Sequence, residues 1–238
     1  MRDLYWSGGY NSRDLGGLPT TDGAVTVPGR IVRTATLDRL TEDGWASLVD
    51  YGVRTIVDLR DEGEETEPVA PRPDAVTVVR VPVETIAGCE WFRSVHHLEG
   101  TPRIFARYLE ERPEAVAAVV KAVAAARPGG VIVHCAGGRD RTGLAGLVLL
   151  ALADVEPAAI AEDYVRSYAQ QRAAYAAMGR TRALQDLDLI NRILAEAGVT
   201  AQQAVLEVLG GCDIAKTLAT AGVTAAELDA VTARLRES

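Results

Sequence analysis

Val131-Ile132-Val133-His134-Cys135-Ala136-Gly137-Gly138-Arg139-Asp140-Arg141-Thr142-Gly143 is the stretch on which the reading of this chain turns. Three β-branched residues in a row, bounded upstream by Gly129-Gly130, predict a short strand at the buried centre of a sheet. Leu144 to Leu152 is a helix-forming run. What lies between them is a tight loop that joins the end of a strand to the start of a helix. Such a loop turns backbone N–H groups inward, and the positive end of the helix dipole reinforces them. The result is a cradle for an anion.

The side chains on that cradle suit one chemistry. Cys135 stands at a helix N-terminus near Arg141, a setting that favours the nucleophilic thiolate. Arg141 offers a planar fork of donors that can grip two phosphate oxygens and follow them into the transition state. Ala136, Gly137, Gly138, Arg139 and Gly143 make up the anion-binding backbone, and the glycines let it approach without a Cβ in the way. Thr142 can donate its hydroxyl to the sulfur, and His134 orients the loop rather than serving as a base. These are the parts needed to cleave a phosphate ester through a phospho-cysteine. The bland alternative, a structural cysteine beside a helix cap, leaves Arg141 and the glycines unexplained.

Outward from the loop, strand and helix signals alternate. Arg30 to Arg33, Thr55 to Leu59 and Val76 to Val83 read as further strands. Leu40 to Tyr51 reads as a helix started by Thr41. Pro102 to Glu111 and Pro113 to Ala126 read as two helices separated at Pro113. Beyond Pro157 nearly everything is helical, with breaks near Gly179, Gly198, Gly210 and Gly222. The expected fold is α/β, a central mostly parallel sheet of four to five strands flanked by helices, with a helical C-terminal third. At 238 residues the chain suits a single domain, with sheet and loop in residues 1–155 and a helical extension in residues 156–238.

The loop resembles the signature of cysteine-dependent phosphatases of the protein-tyrosine-phosphatase superfamily. It is most similar to the bacterial tyrosine and lipid phosphatase branch, whose loop reads HCxxGKDRTG. Asn11-Ser12-Arg13-Asp14-Leu15-Gly16-Gly17 resembles the NxRDLGG motif of that branch, and Val53 to Arg60 resembles its strand ending in DLR. The similarity runs from about Tyr10 to about Tyr168. It implies the cysteine-phosphatase fold and protein phosphotyrosine as the leading substrate. Phosphoinositides and other small phosphate esters come second. One position departs from the pattern: Arg139 stands where the branch has lysine, in a chain with only 2 lysines among 25 basic residues. The charge survives, but a planar fork is not a compact ammonium.

Three carboxylates compete to be the general acid that protonates the leaving oxygen. Asp140 lies in the loop, and the resemblance favours it. Glu84 follows the Val76–Val83 strand, on a connection comparable to the one that carries the acid in related dual-specificity enzymes. Asp58 ends a strand aimed at the same face. Asn11, Arg13 and Asp14 read as a capped polar turn or, by resemblance, as braces under the loop. Asp58 and Arg60 read as an ion-paired strand end or as a buttress. The acidic run Asp61-Glu62-Gly63-Glu64-Glu65 reads as a solvated loop. In the helical segment from about Pro157 to Ala197, Tyr164, Tyr168, Tyr175 and Met178 recur at helical spacing; the stripe reads as core packing, or part of the segment covers Cys135.

Composition narrows the rest. A 48% hydrophobic and 24% charged chain is ordinary for a globular protein. A net charge of −8 argues against nucleic acid as partner and gives no general attraction to anionic membranes. Cys89, Cys135 and Cys212 are too few and too scattered for a disulfide framework or a zinc site. Cys89 is a candidate protective partner for Cys135, and Cys212 reads as buried and inert. No metal or cofactor is called for. The longest apolar stretch, Leu144 to Ala153, is too short to span a bilayer, and no charged-then-apolar leader opens the sequence. The expectation is a cytoplasmic enzyme acting on a phosphorylated protein or small phosphate ester. Its oligomeric state has no signature in the sequence. Two other classes use similar parts: a catalytically silent phosphate-binding module, which the intact Cys135, Arg141 and Thr142 oppose, and a rhodanese-like sulfurtransferase, which gives no reason for Arg141-Thr142-Gly143.

Overall fold

Four runs rich in β-branched residues form the parallel part of the sheet. In the computed structural model, which describes residues 2–83 and 90–237, these are β2 (Ile31–Thr34), β3 (Val53–Asp58), β4 (Thr77–Arg80) and β5 (Gly130–His134). A two-residue strand, β1 (Arg13–Asp14), pairs antiparallel with β2. The order across the sheet is β1-β2-β5-β3-β4. The fold is therefore α/β with a five-stranded, mostly parallel sheet. The predicted Val76–Val83 strand is shorter than expected, and the Asn11–Asp14 turn turns out to carry β1.

β5 sits in the middle, with Thr34 of β2 and Asp58 of β3 both in register with His134. Its side chains alternate between two cores, as the two-residue period of a strand requires. Val131 and Val133 face a large helical core, and Ile132 faces a smaller one built on Trp6, Leu40, Trp45 and Leu48. Both faces of the central strand are therefore covered.

Helix α1 (Glu42–Asp50) follows β2 and is capped by the Thr41 hydroxyl, which accepts from the Gly44 N–H at 3.2 Å. Between β4 and β5 lie α2 (Glu90–Val95), a 3₁₀ turn (His96–Leu98), α3 (Ile104–Glu111) and α4 (Pro113–Ala124). Pro113 sits in the first turn of α4, where its missing N–H costs nothing. α5 (Asp140–Leu152) begins earlier than its apolar run suggests, so Asp140, Arg141 and Thr142 belong to its first turn. The remainder is α6 (Pro157–Ala177), α7 (Thr181–Glu196), α8 (Ala201–Gly211), α9 (Ile214–Thr220) and α10 (Ala225–Arg236). Gly210 lies within α8; the break falls after it, where the Asp213 carboxylate caps α9. Val205, Val208, Leu218, Val231 and Leu235 join the same core as Val57 and Val131, so the C-terminal helices pack on the sheet's helical side. Among the described residues, no helix is long and apolar enough to cross a membrane.

Candidate active site

β5 delivers Cys135 to the C-terminal edge of the sheet between β2 and β3, the position where open α/β sheets form a crevice. Three consecutive carbonyls of the following loop are turned outward. The Ala136 carbonyl accepts from the Thr36 N–H at 3.1 Å and from the Tyr10 hydroxyl at 3.2 Å. The Gly137 carbonyl accepts from Asn11 Nδ2 at 3.0 Å and Gln171 Nε2 at 2.7 Å. The Gly138 carbonyl accepts from Asn11 Nδ2 at 3.0 Å and Arg33 Nη2 at 3.0 Å. In a trans peptide the carbonyl and the next N–H point to opposite sides. This collar therefore aims the N–H groups of Gly137, Gly138 and Arg139 inward. The Gly138 N–H accordingly donates to Cys135 Sγ at 3.3 Å. With the first-turn N–H groups of α5, they make a bowl for an oxyanion.

The glycines also meet close neighbours within the protein. A Cβ on Gly137 would meet Gln171 Nε2 at 2.5 Å, and one on Gly143 would meet the Tyr164 ring at 2.6 Å. Gly138 has a φ of 70°, and a Cβ there would come within 2.6 Å of the Ala35 nitrogen. Of the three, Gly138 is the one whose added Cβ would meet backbone, at Thr34 and Ala35.

Cys135 lines a cavity of about 600 Å³ together with Arg139, Asp140, Arg141, Glu99, and residues of α3 and α7. The two terminal nitrogens of Arg141 are held by the Glu64 carboxylate, Nη2 to Oε1 at 2.8 Å and Nη1 to Oε2. Residues 61–65 are the solvated loop the sequence suggests, and exposed Glu64 reaches from it to Arg141. Arg139 is buried; its fork meets Asp140 in two bonds of 2.9 and 3.0 Å, and its guanidinium lies 4.9 Å above the Tyr168 ring. Arg139 Nη1 is buried with no hydrogen-bond partner among the described residues. The Thr142 hydroxyl is also buried and unpartnered, so the expected bond to the sulfur is not made. His134 is fully enclosed; burial outweighs the nearby Asp58 carboxylate and lowers its pKa to about 4. The neutral ring sets Nδ1 3.3 Å from the Cys135 carbonyl and Nε2 3.5 Å from Asp58. Burial pushes the Glu99 carboxyl up, helped by the charge of Asp140.

Residues 4–237 match the tyrosine phosphatase family. The chain belongs to that family. A tyrosine-protein phosphatase from Nostoc commune is 30% identical over 151 residues, which covers 60% of this chain and 50% of the relative. The triple specificity protein phosphatase PtpB from Mycobacterium tuberculosis is 28% identical over 192 residues, 67% of each chain. The chain thus spans half the length of the Nostoc relative and two thirds of the mycobacterial one.

For a tyrosine phosphatase family member, the predicted residues fall into distinct places. Cys135, Arg139, Asp140 and Arg141 share one cavity. Asn11 reaches the loop directly, and Arg13 reaches it through Asn11, donating to Asn11 Oδ1 at 2.9 Å. Asp14 does not reach it: its carboxylate accepts from the Gly16 and Gly29 N–H groups, both at 2.6 Å, and from the Tyr51 hydroxyl. Asp58 is committed to Arg60, at 3.0 and 2.9 Å, which sets it behind His134 rather than in the cavity. Glu84 and Cys89 lie outside the described residues. Tyr164 packs in the core against Phe105 and Tyr168, and the cavity-lining residues of the C-terminal third come from α7 rather than from this stripe. Sequence reasoning missed Tyr10, Arg33, Glu64, Asp163 and Gln171. An arginine inside a β-branched strand, Arg33, was the one signal available: a charge there needs a partner.

Proposed function

We propose that this protein hydrolyses phosphate monoesters by two-step covalent catalysis. Cys135 attacks phosphorus, the inward N–H groups and Arg141 hold the equatorial oxygens, and Asp140 protonates the leaving oxygen. Water, activated by the same carboxylate, then cleaves the phospho-cysteine. The observation that carries this reading is the collar of outward carbonyls around a buried sulfur, with a guanidinium on the rim. For Asp140 to hand over a proton, its pair with Arg139 has to open. A phosphate entering the bowl is the competing anion for that guanidinium.

Protein phosphotyrosine is the substrate we favour. Ile104, Phe105, Tyr108, Ile190 and Ile193 give the cavity apolar walls beside its phosphate end, which suits an aryl ester better than a short serine phosphate. Turnover of p-nitrophenyl phosphate by the wild type, with none by C135S, tests the chemistry. Phosphotyrosine peptides, phosphoserine peptides and inositol phospholipids, compared by kcat/KM, test the substrate. Failure of C135S to abolish turnover would sink the mechanism.

A further inference from the structure

We infer that Asp163, acting through Arg33 and Arg13, is a positioning residue that fixes which way the phosphate-loop peptides point. The inference rests on the phosphatase reading above and deepens it. Asp163 lies on α6 with its side chain 1% exposed, and three guanidiniums converge on it. Its Oδ1 accepts from Arg2 Nη1 at 2.8 Å and Arg13 Nε at 2.9 Å. Its Oδ2 accepts from Arg13 Nη2 at 3.1 Å and Arg33 Nη1 at 2.9 Å. Burial works to raise its pKa, but Arg13 and Arg33 overcome this and hold the carboxyl well below the usual carboxylate range.

An ion cluster that only tied α6 to the sheet would be satisfied within itself. This one is not. With Nη1 engaged on Asp163, Arg33 turns its other terminal nitrogen, Nη2, onto the Gly138 carbonyl at 3.0 Å and Ser167 Oγ at 3.2 Å. Arg13 turns Nη1 onto Asn11 Oδ1 at 2.9 Å. That bond fixes the Asn11 amide with its nitrogen toward the Gly137 and Gly138 carbonyls, both at 3.0 Å. Two independent routes from one carboxylate thus meet on the peptide between Gly138 and Arg139. Asn11 holds a left-handed backbone, φ 54°, to make its contribution. Three cations against one anion also leave positive charge directly behind the bowl, in a chain of net charge −8. Without the Asp163 carboxylate, two buried guanidiniums lose their counter-ion and keep only neutral partners such as Ser167 Oγ. The 138–139 peptide is then free to rotate its carbonyl inward, where it would repel a phosphate oxygen.

The test compares R33M, R33K, N11A, D163N and the double variant N11A/R33M. Readouts are kcat/KM for p-nitrophenyl phosphate, competitive inhibition by tungstate, and Tm, with assays kept well below each Tm. R33M and D163N are expected to lose about tenfold or more in kcat/KM and to weaken tungstate by a similar factor. R33K, which keeps the charge but reaches fewer partners, should recover part of both. The losses of N11A and R33M should not multiply, because both act on one peptide. Should D163N fail to fold, the Asn11 and Arg33 variants decide the matter. Lowered Tm with unchanged tungstate inhibition, or losses that multiply, would overturn the inference. A wild type inactive on every phosphate ester would instead overturn the phosphatase reading, and calorimetric tungstate binding to wild type and R33M would still judge the positioning.

Discussion

Asp140 and Glu64 each hold an arginine of the loop, and substitutions at the two should leave different marks. An acid matters most when the leaving oxygen is a poor leaving group. D140N should therefore cost on the order of 10²-fold or more in kcat on a phosphotyrosine peptide, and much less on p-nitrophenyl phosphate. Equal losses on both would remove Asp140 from the acid role. Glu64 takes the terminal nitrogens of Arg141 and so sets the plane of the fork. E64Q should raise KM and lower kcat/KM by about tenfold with Tm little changed; an unchanged KM would leave Glu64 as a surface ion pair of no consequence. Cys135, Asp140 and Arg141 were legible because they sit in one contiguous motif whose spacing has a chemical reason. Glu64 was not, being 77 residues from Arg141, nor was the Arg33 bond to Gly138, across 105 residues. Only the folded sheet brings such pairs together, and no local pattern encodes them.

The central strand was legible because an unbroken β-branched run between glycines has few other homes. The Thr41 cap and the Pro113 boundary carry equally local signals, and both helices begin where those signals stand. β1 escaped because two residues give no periodicity, and its strand character comes only from pairing with β2. The start of α5 escaped because Asp140 to Gly143 are polar or small, and their helical conformation follows from the loop closing behind them. Helix α7 lies within the Pro157–Ala197 segment that the sequence offers as a cover over Cys135. Its residues Arg182, Asp186, Ile190 and Ile193 line the cavity that holds Cys135, so we propose that it covers the sulfur and limits oxidant access. Ile190 is 8% exposed and packs over Gly100. I190A should open the cavity and speed inactivation by hydrogen peroxide severalfold, and, because Ile190 also walls the aryl end of the cavity, raise KM for p-nitrophenyl phosphate. Identical inactivation rates would show that α7 shapes the cavity without shielding it.

Across the whole molecule, the buried ionisable groups predict a two-part response to acid. His134 has a pKa near 4 when folded, against 6.5 as a free side chain. Between those values the unfolded chain binds a proton there and the folded protein does not, so stability rises with pH and falls on acidification. Over that window the loss approaches about 3 kcal/mol, from roughly 1.4 kcal/mol per pKa unit. Asp58 and Asp163 work in a lower range. Burial opposes their charge, but their arginine partners prevail and depress both carboxyls. Their contribution is complete above the ordinary carboxylate range and is lost only as pH falls below it. Chemical denaturation at pH 7, 6, 5 and 4 separates the two windows. The wild type should lose stability steadily between pH 6.5 and 4, whereas H134N, less stable at pH 7, should hold nearly level across it. Wild-type and H134N curves that run parallel from pH 7 to 4 would mean that His134 keeps an ordinary proton affinity in the fold. The ring would then take up its proton beneath Cys135 as pH falls through 6.5, and its place in the site would be electrostatic below that pH rather than that of a neutral brace throughout.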